Sequence, residues 1–324
     1  MQLRTCAVST AATLAAALTL VTATATADTV RGSNRSERLT GTQGSDYIKA
    51  RGGNDRIRGL GGDDLISAGR GDDRASGGEG ADNLTGGKGF GRDTLFGGGG
   101  DDRLRGNAGN DFLNGGTGED FLFGNSGDDT IIGWLQGDLV AGNDGNDSLS
   151  GGTGGDRVYG GRGTDSIKGG EHNDRVHGGD DADRVFGDDA RDLVSGGRGD
   201  DALVGGSGND SVYGNQGADE LIGGAGNDTL WALTLADVPL PGVDVLRGEG
   251  GNDTFRTRDG EPDTIDCGEG KKDKALIDFV DVILDATAAN PKGSCETVTR
   301  AAPKAKEDAP ENARESPSDD NRES

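Results

Sequence analysis

The sequence predicts an all-β fold, a parallel two-sided β-roll of nine-residue repeats closed by a disulfide-clamped C-terminal cap. Three observations predict it. Glycine supplies 63 of 324 residues, far above its usual share. Aspartate recurs every nine residues from Asp46 to Asp228, with a single step of eleven between Asp82 and Asp93. An aliphatic residue or alanine follows each of these aspartates two positions later. Self-similarity at a short fixed period is the mark of a solenoid. High charge with an apolar content of only 31% would otherwise read as disorder; the regularity argues against it.

The elements follow in chain order. Arg4 precedes an apolar run from Ala7 to Val21, and Ala25-Thr26-Ala27 forms a small-residue cleavage pattern. Residues 1–27 therefore read as a secretory signal peptide, which carries Cys6 away with it and makes the protein secreted and extracellular.

Residues 28–256 are the roll. Clear copies read GGTGGDRVY from Gly151, GGRGTDSIK from Gly160 and GGSGNDSVY from Gly205. Glycines at positions one, two and four allow a tight turn. Positions seven to nine make a three-residue strand whose middle side chain points inward. Two nonamers form one coil, so about 23 repeats predict roughly a dozen coils, about 55 Å of roll at ~4.8 Å per coil. One aliphatic side chain per nonamer is little apolar burial against nine ordered backbones, which predicts that folding depends on a bound ligand.

Charge names that ligand's class. Asp and Glu number 58 against 33 Lys and Arg, a net charge of −25. That balance argues against nucleic acid, whose affinity comes from cations meeting phosphates, and favours metal cations as partners. Carboxylates and turn carbonyls suit a hard ion with six to eight oxygens and flexible geometry, which is Ca2+. Magnesium wants stricter octahedra, and zinc wants His or Cys, of which the repeats offer only His172 and His177. Aspartates 18 apart fall one above another on adjacent coils, as Asp102 with Asp120 or Asp210 with Asp228. The candidate ligands for multiple calcium ions are Asp46, Asp55, Asp64, Asp73, Asp82, Asp93, Asp102, Asp111, Asp120, Asp129, Asp147, Asp156, Asp165, Asp174, Asp183, Asp201, Asp210, Asp219, Asp228 and Asp253. A simple turn former would tolerate Asn or Ser at this place, yet Asp holds it in all 21 copies from Asp46 to Asp228.

These residues resemble the RTX-type (hemolysin-type) calcium-binding nonapeptide, G-G-x-G-x-D-x-U-x. The resemblance implies a calcium-stabilised parallel β-roll, with sixth-position carboxylates and turn-glycine carbonyls as ligands. It also looks like secreted actinobacterial calcium-binding repeat proteins. Gly133-Trp134-Leu135-Gln136 and Gly187-Asp188-Asp189-Ala190 lack the second and fourth glycines, so Asp138 and Asp192 are left out of the ligand set. Glu37 replaces the first aspartate and reads as an end cap.

Beyond Trp231 the segment Ala232 to Pro241 breaks the period as a short apolar loop, and the repeat resumes at Asp244/Leu246 and Asp253/Phe255. Residues 257–300 read as a degenerate C-terminal cap that protects the last strands from edge pairing. Cys267 and Cys295 are an even pair in an oxidising compartment, so a disulfide is expected. Residues 301–324, rich in charge and poor in apolar bulk, read as a disordered tail.

No H-E-x-x-H, G-x-S-x-G or G-x-x-x-x-G-K-[ST] motif occurs. The expected function is therefore a non-enzymatic, monomeric, secreted calcium-binding protein with no membrane span, folding on calcium binding. The alternative is a calcium-dependent adhesin that holds a cell surface or polysaccharide. Its support is the loop at Ala232 to Pro241 and the seventh-position row Arg38, Arg56 and Arg74.

Overall fold

A computed structural model describes residues 27–232, 242–285, 290 and 292–302. All but the last residue of the expected signal peptide, nearly all of the apolar loop and all but the first two residues of the expected tail lie outside these. Among the described residues are 29 strands and no helix. They form two parallel sheets of 15 and 14 strands, and successive strands alternate between the sheets. Each coil thus lays one strand in each sheet. The register is 18 residues: Leu104 pairs with Leu122, Leu122 with Val140 and Val140 with Val158.

The roll is longer than the repeat count predicts, about fourteen coils or roughly 65 Å. The reason is that the degenerate segment keeps the register. Thr254–Thr257, Lys274–Ile277 and Thr297–Arg300 extend one sheet, while Thr264–Asp266 and Val282–Ile283 extend the other.

Strands are also twice the expected length. Arg157–Arg162, for example, runs from position seven of one nonamer through position three of the next. Side chains alternate along it, so positions six, eight and one face inward while seven, nine and two face out. The inward glycine at position one is thus part of a strand and not of the turn. Towards the ends of the roll that position widens to Ala50, Ala68, Thr257, Cys267 and Ile277, all fully buried.

The core between the sheets is a double row of aliphatic residues, including Ile48, Leu84, Leu122 and Ile167, none with exposed surface. Insertions are expelled rather than absorbed. The two residues added between Asp82 and Asp93 bulge at Gly89–Gly91, leaving Phe90 95% exposed, and the next strand returns to register. After the break that follows Ala232, Val245 pairs with Glu220 as if nothing had intervened.

Two glycines show what the turns demand. Gly161 and Gly163 have φ of 122° and 110°, a region closed to most side chains. Coils also stack so closely that a Cβ on Gly163 would stand 2.2 Å from the Gly145 carbonyl oxygen.

Candidate metal centre

Inward orientation puts the sixth-position carboxylates inside the roll. Every one from Asp46 to Asp281 is at most 4% exposed. Their contacts form two ladders. The amide of each aspartate donates to Oδ1 of the aspartate one coil further along, as from Asp46 to Asp64 (2.7 Å), Asp129 to Asp147 (2.7 Å) and Asp210 to Asp228 (2.8 Å). One ladder starts at the Asp28 amide and ends on Glu296 Oε2. The other runs from the Glu37 amide to Asp281 Oδ1. The eleven-residue step and the interrupted coil do not break them, since Asp73 reaches Asp93 and Asp219 reaches Asp244.

The second oxygens are a different matter. Oδ2 of twenty-two of these aspartates, from Asp55 to Asp273, is buried without a hydrogen-bond partner. Eighteen of them point over a position-one glycine: a Cβ on Gly160 would stand 2.2 Å from Asp165 Oδ2, and one on Gly115 the same distance from Asp120 Oδ2. Glycine there keeps the space beside the carboxylate open.

Buried, stacked carboxylates are electrostatically costly, and their acidity shows it. Burial pushes Asp102, Asp129, Asp165 and Asp201 up to about 8, offset by the coil-to-coil amide and reinforced by neighbouring carboxylates. Such a row needs either protons or a countercharge. Unpaired oxygens, an open cradle and an all-oxygen donor set fit a hard divalent cation such as calcium.

All twenty sequence-predicted positions lie on the ladders. Asp46 differs in that Thr42 donates its amide to Oδ2 and its hydroxyl to Oδ1. Six aspartates outside the predicted set also lie on the ladders, Asp138, Asp192, Asp244, Asp263, Asp273 and Asp281, and of these Asp138, Asp192, Asp263 and Asp273 have an unpartnered Oδ2. The turns before Asp138 and Asp192 lack glycines at positions two and four. Trp134, Gln136, Asp188 and Ala190 nonetheless adopt φ of 97°, 76°, 75° and 86°, so the turn keeps its shape and both carboxylates stand in line. The usable signal was simpler: an aspartate two residues before a buried core residue, which also marks Asp244, Asp263 and Asp273.

Glu37 turns back on its own turn, accepting the Ser33 amide and hydroxyl; these bonds hold its carboxyl below the usual range. His172 and His177 bond Glu171 O and Ser195 Oγ. Cys267 and Cys295 form a disulfide. Arg38, Arg56 and Arg74 pair in register on one exposed face, with the Arg74 guanidinium 4.7 Å from the Phe96 ring centre. No helix among the described residues is long and apolar enough to cross a membrane.

Fold and carboxylate rows together define a parallel β-solenoid lined by rows of buried carboxylates suited to hard cations. The RTX calcium-binding nonapeptide repeat matches residues 31–66, 58–91, 89–122, 105–140, 114–149, 135–167, 168–203, 195–230 and 240–261, over two-thirds of the chain. The chain belongs to that family. Comparison with curated proteins returns no match.

Proposed function

We propose that the chain is a secreted, non-enzymatic protein that folds when calcium enters its repeat turns. The carrying observation is the row of buried Oδ2 atoms without partners. The sixth-position aspartates would hold the ions, aided by turn-glycine carbonyls. Bound calcium would supply positive charge that lets stacked carboxylates stay ionised. Asp138, Asp192 and Asp273 join the ligand set on the same ground. The buried Cys267–Cys295 disulfide supports an oxidising, extracellular setting.

Folding would follow mass action, because the unfolded chain presents no stacked sites. Affinities of about 10⁻⁴–10⁻³ M suit an extracellular module. The test is a circular-dichroism titration of the full chain with calcium, paired with counting of bound ions. Strand signal should rise cooperatively with calcium and vanish in chelator. Full strand signal in chelator with no ion bound defeats the proposal.

One observation favours a second role, adhesion to an anionic polysaccharide. The Arg38, Arg56 and Arg74 ladder, with Arg58 beside it, is a basic face on an otherwise acidic protein. Retention of the calcium-loaded chain on a polyuronate column, abolished by R56S/R74S, supports it; no retention ends it.

A further inference from the structure

The C-terminal end of the roll departs from the repeat in a way that gathers an extra carboxylate. Ten residues separate Asp253 from Asp263, one more than in a regular repeat. In the longer turn the Asp259 carboxylate accepts the Glu261 amide at 2.9 Å, which fixes it against the coil. Asp244, Asp259 and Asp263 each then offer an oxygen within 4.8 Å of the other two.

Asp263 is the centre of the group. It is 1% exposed. Its Oδ1 accepts the Asp244 amide at 2.9 Å, and its Oδ2 is buried with no hydrogen-bond partner. A regular turn stacks two carboxylates from successive coils; this one adds a third from the turn itself. Burial, then the neighbouring carboxylates, push Asp263 up to about 10 and Asp244 to about 8, while Asp259 reaches about 7 for the same reasons. Three carboxylates this close do not ionise together without a countercharge.

We propose that Asp244, Asp259 and Asp263 form a separate hard-divalent-cation site that ties the last coils of the roll together. Oxygen-only donors and flexible carboxylate geometry select calcium over zinc or magnesium. The site does not follow the nonapeptide pattern. Asp259 stands at a variable position of the repeat, and Asp263 lies beyond residue 261, where the family match ends. Its mechanical consequence is local. Asp244 and Asp263 precede the paired strands Val245–Gly251 and Thr264–Asp266, so one ion joins two coils immediately after the interruption of the roll. The proposal deepens the calcium reading, on which its choice of ion rests.

The test is native mass spectrometry of the full chain in calcium, with hydrogen exchange on peptides across 245–266. D259N should hold one ion fewer than the wild type and lose calcium-dependent protection in that segment alone. D144N, which alters an exposed carboxylate in an ion pair with Arg162, should keep the full count. D259G removes the donor while leaving a residue suited to turns, and should reproduce the loss of one ion if D259N folds poorly. An unchanged ion count in both Asp259 variants overturns this site alone. A wild-type chain without any ion overturns the calcium reading together with it.

Discussion

The Asp102 amide donates to Asp120 Oδ1 at 2.8 Å across a coil boundary, while Asp120 Oδ2 beside it has no partner. One carboxylate thus serves two purposes. One oxygen fixes the spacing of adjacent coils, and on the proposed function the other is left for a cation.

Substitutions at Asp120 should separate the two. Asn keeps an acceptor for the Asp102 amide but drops the charge. D120N should therefore bind fewer ions and need more calcium to fold. D120A also strands a buried amide, so in saturating calcium it should be less stable than D120N by about 1–3 kcal/mol. Urea denaturation of both variants checks this; equal midpoints contradict the dual role.

Acid should act oppositely on metal-free and loaded chains. In the metal-free fold Asp120 is raised from 3.8 to about 6, and Asp102 and Asp129 to about 8. A raised folded value stabilises below the unfolded value and is lost as pH climbs through the folded one. Metal-free stability should thus be greatest below about pH 4 and fall progressively from about pH 4 to about pH 8. With calcium bound the carboxylates are held ionised, and stability should instead fall as protons compete on acidification. Melting curves from pH 4 to 8, with chelator and with excess calcium, give the two slopes.

Ala190 holds a left-handed backbone, φ 86°, at a place where other repeats have glycine. A non-glycine residue pays about 1–2 kcal/mol there. A190G should raise stability by about 1 kcal/mol, the relief being partly offset by glycine's greater freedom when unfolded. G163A should do the reverse, since its Cβ meets the Gly145 carbonyl oxygen. A destabilised A190G would show that the turn is not strained.

The Cys267–Cys295 bridge spans a sequence separation of 28. Its removal should cost about 3.5 kcal/mol by loop entropy. The loss should concentrate in the last coils, because each coil of a solenoid contacts only its neighbours. Hydrogen exchange in C267A/C295A, compared between 264–300 and 103–200, measures it; uniform loss along the roll refutes it.

The period made much of this legible. Strand alternation, register and core row all follow from spacing, since Ile48, Ile57 and their successors recur every nine residues. The direction of the aspartates did not follow. Polar residues are expected outside, and only the alternation through Asp102, Leu104 and Gly106 shows all three facing in. Asp138 and Asp192 fall outside the sequence-predicted set because their turns lack glycine, whereas Trp134 and Ala190 adopt the left-handed angles of those turns. Asp259 carries no periodic signal at all; its place depends on a single extra residue in one turn.

The two amide-to-carboxylate ladders are one-way. Every donor looks to the coil that comes later in the chain, and the final acceptors are Glu296 and Asp281. Cutting coils from the rear strands donors of these ladders, whereas cutting from the front frees their acceptors and strands instead the strand amides, such as Tyr47 N, which donates to Asp28 O. A ribosome delivers the front first, so each ladder lacks its terminal acceptor until Asp281 or Glu296 emerges.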